Sequence, residues 1–262
     1  MRTPLLRRGL FTLLALTPLV MSAGQANAQV SPLWDHYKVY FTPPFPTPPL
    51  GVTVVLADQF GVFTHTVQQL ERVMNPTEKR VGPQVFPVNN PDLHYTWWSI
   101  TPQPFTAQVT AVNQFGDHTL NVHDAVYLLN PARKNQPGTP PQANHYKCYL
   151  CDGPPVNVPV TMTDQFGPWN ANVTFPRYFC NPVDKQVQGQ PPHPILDPNQ
   201  HYVCYEFQPE DPTTYTATVT DQFIVNHNTP MNPSRYLCVP TYKTGVTPTG
   251  AGTWGRLKVL YR

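Results

Sequence analysis

The side chains best suited to chemistry in this sequence recur. His36, His94, His145 and His201 are each followed by a tyrosine, and Asp58, Asp164 and Asp221 each open an Asp-Gln-Phe triplet. Histidines can gather as metal ligands, and paired carboxylates can hydrolyse glycosides. Neither reading is supported by spacing. The histidines lie about fifty residues apart, so no local ligand pattern joins them. His118 and His123 stand closer, without a cysteine at zinc spacing. The carboxylate series has Asn113 in the one remaining copy, which favours a turn role over acid–base work. The mature chain holds only Ser31, Ser99 and Ser234, none in a G-x-S-x-G elbow, and no phosphate-binding glycine loop appears. The expectation is no catalytic residue, no metal and no cofactor.

The elements that hold these residues form a repeat. Asp58-Gln59-Phe60-Gly61, Asn113-Gln114-Phe115-Gly116, Asp164-Gln165-Phe166-Gly167 and Asp221-Gln222-Phe223-Ile224 each follow a run rich in Val, Thr and Ala. Each unit opens on a His-Tyr strand and closes on an apolar pair, a Pro and a Lys, at Lys79, Lys134, Lys185 and Lys243. Self-similarity at this period signals a repeat architecture. Aromatic and β-branched enrichment marks the opening and motif segments as strands. In the opening strands the fourth position holds Val39, Trp97, Cys148 and Cys204, so its face is expected to be the buried one. Asn-Pro, or Val239-Pro240 in the last unit, is expected to stop the third strand. Asp58, Asn113, Asp164 and Asp221 are expected to accept backbone N–H groups at a bend.

Bulk composition narrows the class. Charged residues make up 12%, against a usual figure of about 25%. Thirty-four prolines disfavour helix interiors and call for short strands and Pro-rich loops. A net charge of +2 offers no field for nucleic acid. Residues 1–28 read as a signal peptide: Arg2, Arg7 and Arg8, an apolar run from Gly9 to Val20, then Ala26-Asn27-Ala28 before a mature start at Gln29. Arg7-Arg8-Gly9-Leu10-Phe11 loosely resembles a twin-arginine signal, which ranks second. No transmembrane segment is expected after signal removal. Linker lengths suggest that units one and two (29–135) pair, as do units three and four (136–243), with a linker and C-terminal strand over 244–262. The fold expected is all-β: four tandem units of about three strands each, forming two small barrels or sandwiches. A continuous solenoid or a propeller is the alternative.

Exported cysteines are expected to pair. Units three and four carry Cys at both the opening and the third strand, and units one and two at neither. That pattern points to Cys148–Cys180 and Cys204–Cys238, with Cys180–Cys204 as the rival. Cys151, left over, spells C-x-x-C with Cys148, but ahead of Pro154-Pro155 rather than at a helix start. A buried or intermolecular thiol is expected. Trp98, Trp169, Tyr149 and Tyr205, with Tyr40, are candidates for a ligand-facing aromatic surface, set against ordinary packing between sheets.

The whole pattern resembles a repeat family of unknown function in secreted bacterial proteins. That repeat reads His-Leu-x-Cys-Tyr, a Val/Thr strand into Asp-Gln-Phe-Gly, then Leu-Cys-x-Pro-x-x-Lys. The resemblance covers nearly all of residues 36–243 and is best in unit three. Units one and two depart by lacking both cysteines, and unit four lacks the motif glycine. It implies no catalytic residue. The function expected is a secreted (extracellular or periplasmic) structural or interaction protein and not an enzyme. Its partner would be a cell-surface polymer or another protein. The alternatives are a carbohydrate-binding module and a secreted hydrolase.

Overall fold

The computed structural model describes residues 33–46 and 51–248. The export signal expected over 1–28 and the strand expected over Trp254 to Tyr261 lie outside them. In chain order the strands are β1 (His36–Pro46), β2 (Thr53–Asp58), β3 (Gly61–Val81), β4 (Gln84–Phe86), β5 (His94–Gln103), β6 (Ala107–Asn113) and β7 (Gly116–Lys134). They continue as β8 (His145–Asp152), β9 (Val158–Asp164), β10 (Gly167–Val187), β11 (His201–Asp211), β12 (Tyr215–Thr220), β13 (His227–Met231) and β14 (Ser234–Pro248). The all-β expectation holds, and all fourteen strands join one antiparallel sheet.

Eight strands of that sheet close on themselves. β1 pairs β3, β3 pairs β5, β5 pairs β7, and β7 pairs β8. β8 pairs β10, β10 pairs β11, β11 pairs β14, and β14 returns to β1. Each sequence unit supplies its opening strand and its third strand to this ring. The expected pair of small barrels or sandwiches is therefore corrected to one ring. The proposed boundary at 135/136 has β7 hydrogen-bonded to β8 across it. The linkers are long enough to let neighbouring strands meet on either side, so their lengths carried no domain information.

The motif strands form a second tier of hairpins that cross to the opposite unit. β2 turns into β3 and then pairs the end of β10, while β9 turns into β10 and pairs the end of β3. β6 likewise reaches β14, and β12 reaches β7. β3, β7 and β10 each serve as hairpin arm, ring stave and outer partner in turn, while in unit four β13 is the hairpin arm and β14 the stave and outer partner.

The prolines do not end these strands, contrary to expectation. Pro76, Pro131, Pro182 and Pro240 stay in register with Tyr37, Tyr95, Tyr146 and Tyr202 on one side. On the other side the last ring pairs fall two residues earlier, at Met74, Leu129, Cys180 and Cys238. Proline lacks a ladder donor, and it sits where the strand exchanges one neighbour for another, so little pairing is forfeited.

Both faces of the opening strands are buried, which also extends the expectation. Inside the ring, Tyr37, Tyr95, Tyr146 and Tyr202 meet edge to face in a closed circuit with centroids 5.2–5.7 Å apart. Val39, Met74, Trp97, Leu129 and the four paired cysteines share that cluster. Outside the ring, two further cores lie under the hairpins, one around Met162, Tyr149 and Tyr205, the other around Leu56, Tyr40 and Trp98. The hairpin tier covers the face that would otherwise be solvated.

Candidate functional site

The recurring polar residues meet at four corners between hairpin and ring. At each, the motif Asp or Asn accepts the backbone N–H two residues on: Asp58 from Phe60 at 3.0 Å, Asn113 from Phe115 at 2.9 Å, Asp164 from Phe166 at 3.0 Å and Asp221 from Phe223 at 2.6 Å. This is the turn geometry that Asp and Asn favour. The other end of each side chain reaches the unit diagonally opposite. Tyr149 donates to Asp58 at 2.7 Å and Tyr40 to Asp164 at 2.7 Å. Trp98 donates to Asp221 at 2.7 Å, joined by the Thr96 hydroxyl. Asn113 itself donates to Tyr205 at 2.9 Å. The fifth-position aromatics thus point outward from the ring into the hairpin tier, not into solvent.

The ligand-facing reading of the aromatics is corrected accordingly. Trp98, Tyr149 and Tyr205 are buried. Trp169 is half-buried, and its indole donates to the Pro209 carbonyl at 3.0 Å. A second tier of strands, invisible to period-two reasoning on one strand, removes Trp98, Tyr149 and Tyr205 from water.

Each corner also takes a lysine from a third unit. The ammonium of Lys243 lies 4.9 Å from the Phe60 ring centre, Lys79 4.5 Å from Phe115, Lys134 4.6 Å from Phe166 and Lys185 5.2 Å from Phe223. Such contacts favour a cation at a ring face. Burial opposes the charge: Lys134, Lys185 and Lys243 are pushed down to about 7, and Lys79 well below its usual range. Lys134 donates to Asn75 at 2.5 Å and Lys185 to Asn130 at 2.6 Å. Lys79 and Lys243 have no hydrogen-bond partner: Val239 stands where the other units place Asn, and Asn181 accepts from Gln59 instead. The sequence signal for these lysines was their fixed place three residues after each closing proline.

The histidines sit at the same corners. Gln59 reaches His201 at 3.1 Å and Gln114 reaches His36 at 2.5 Å. Burial first, and the neighbouring lysine second, hold His94 and His201 down to about 3 and His36 and His145 well below the ordinary range. Neutral imidazoles in this setting act as spacers with one donor and one acceptor. Among the described residues no three His, Cys, Asp or Glu side chains gather as a metal site.

Sulfur chemistry is confined to the ring. Cys148 is bonded to Cys180 and Cys204 to Cys238, each pair lying directly opposite in register. Cys151 is free and buried, and burial pushes its thiol up, away from the reactive thiolate. Near the end of the ring away from the tyrosine circuit, Arg72 lies 4.4–5.5 Å from the centres of Phe41, Trp97, Tyr127, Tyr178 and Tyr236. It donates to the Tyr178 hydroxyl at 3.2 Å. Nothing in the repeat pattern announced it, since the other units have no arginine at that place.

A family model described as a repeat of unknown function (DUF7450) matches residues 116–240. Those residues are similar to that repeat family. The matched DUF7450 stretch begins at Gly116 of the second motif and contains the third and fourth motifs and both disulfides. No curated protein and no solved structure matches the chain.

Proposed function

We propose that this chain is exported and serves as a structural or interaction module, not as an enzyme. The observation that supports this reading is the use of the recurring polar groups. Asp58 and Asp164 bond Tyr149 and Tyr40, Asp221 bonds Trp98, and Lys134 and Lys185 bond Asn75 and Asn130, all at buried corners. Side chains committed to each other in this way are shielded from substrate. The carbohydrate-binding alternative loses most of its candidate rings with the burial of Trp98, Tyr149 and Tyr205, and keeps only the half-buried Trp169. Two disulfides fit an oxidising compartment, either extracellular or periplasmic.

Purified mature protein, offered generic ester, glycoside and peptide substrates, should turn over none of them. Turnover that disappears when Asp58, Asp164 and Asp221 are all changed to Asn would overturn the non-catalytic reading. N-terminal sequencing of the exported product should begin at Gln29, and retention of the whole chain in the cytoplasm would remove the export proposal.

A further inference from the structure

Three of the four corners bring a lysine, an asparagine amide and an aspartate together. Lys134 Nζ lies 2.5 Å from Asn75 Oδ1, and Asn75 Nδ2 lies 3.3 Å from Asp164 Oδ2. Lys185 Nζ lies 2.6 Å from Asn130 Oδ1, and Asn130 Nδ2 lies 3.5 Å from Asp221 Oδ2. Both lysines and both asparagines are buried. We propose that Lys134 and Lys185 form covalent amide bonds with the side chains of Asn75 and Asn130, with Asp164 and Asp221 moving the proton, so that the chain cross-links itself.

The step balances without a further reactant. The neutral lysine Nζ attacks Asn Cγ, forming the new C–N bond. The Cγ–Nδ2 bond breaks. A proton released by Nζ passes through the Asp carboxylate to the departing Nδ2, which leaves as ammonia. Nothing is oxidised or reduced. Amide exchange of this kind is slow between free side chains, but a nucleophile held against its carbonyl in fixed orientation gains a large effective concentration. The Asp is hydrogen-bonded to the leaving nitrogen. At the second site His145 Nδ1 also lies 3.1 Å from Asn130 Oδ1, where a ring N–H can stabilise developing negative charge. Burial supplies the neutral amine: both lysines are pushed down to about 7.

Two sequence details fit. Each asparagine precedes a proline, Asn75-Pro76 and Asn130-Pro131. The competing loss of ammonia, cyclisation onto the next backbone N–H, is closed because proline has none. The corner at Lys79 lacks both partners at once: Val239 replaces the asparagine and Asn113 the aspartate. The Lys243 corner is poorly aligned. Asn181 donates to Asp58 at 3.3 Å, but Gln59 occupies Asn181 Oδ1 at 2.7 Å and Lys243 Nζ has no hydrogen-bond partner. Two bonds are therefore assigned. They tie β3 to β7 and β7 to β10, and they hold for a scaffold or a binding protein alike.

Intact-mass measurement of the reduced mature chain tests this directly. The expected mass is that of the sequence less two ammonia molecules, with tryptic peptides joining Lys134 to Asn75 and Lys185 to Asn130. Asn75→Ala and Lys134→Arg should each restore one ammonia and leave the second bond intact. Asp164→Asn should keep both disulfides yet leave Asn75 and Lys134 unlinked. A natively folded wild type with both disulfides and the full sequence mass, after long incubation, would overturn the proposal. So would ammonia loss without branched peptides. The wild-type measurement decides even where a variant fails to fold.

Discussion

The two halves of the ring fill the same slot in different ways. Between β8 and β10 and between β11 and β14, the slot holds a disulfide. Between β1 and β3 it holds Val39 opposite Met74, and between β5 and β7 Trp97 opposite Leu129. All four pairs face one another directly in register, so the backbone is the same and only the filling differs. A disulfide acts mainly by restricting the unfolded chain. A tryptophan acts by burying area, and Trp97 also lends a face to Arg72 5.2 Å away. Closed packing without sulfur is thus available to this ring, and the bonds in units three and four are one of two solutions.

The comparison can be broken at its bulkiest point. Trp97→Ala should cost about 3–5 kcal/mol in urea unfolding, because a buried ring leaves a cavity. A loss below about 1 kcal/mol would show that volume in this slot is unimportant. Replacing Cys204 and Cys238 together by Ala should cost about 3–4 kcal/mol on the chain-entropy account. The reverse graft sharpens the point. Val39→Cys with Met74→Cys should form a third disulfide, detected as a reducible mass difference, and worth about 3 kcal/mol. If those thiols stay free under oxidising conditions, the slots are not equivalent.

Smaller effects probe the corners. His94 and His201 are held down to about 3 in the fold, against a usual value of about 6.5. The unfolded chain then binds protons that the folded chain refuses, so their contribution is complete above 6.5 and lost as pH falls toward 3. Thermal midpoints should drop steadily across that window, as each histidine removes at most about 1.4 kcal/mol of stability per pH unit. A midpoint flat from pH 6.5 to 4 would contradict neutral buried imidazoles. The smallest change is Val239→Asn, which should give Lys79 its missing acceptor and add about 1 kcal/mol. A loss of stability instead would mean that the Lys79 corner has closed around valine.

Much of this was legible in residue order, for identifiable reasons. Alternation placed Val39, Trp97, Cys148 and Cys204 on an inner face, because side-chain direction along a strand is a local property. The joint presence of Cys at two positions in a unit named the pairs that the register brings together. Asn113 standing for Asp identified a turn. What stayed hidden depends on neighbours. Tyr149, Tyr205 and Trp98 looked free because one strand does not reveal a second tier above it. Pro76 looked like a strand end because a single chain does not show where its partners change. Arg72 had no counterpart in the repeat to mark it.

The order of residues determined the secondary-structure class, the turn at each motif and the sulfur partners, since these rest on spacing within one unit. The tertiary structure alone decided that the ring closes once, that each motif docks on the unit diagonally opposite, and that Lys134 meets Asn75 and Lys185 meets Asn130. Those contacts join segments more than fifty residues apart. Only the closing of eight strands into one ring, with hairpins laid across it, fixes which distant segment each strand meets.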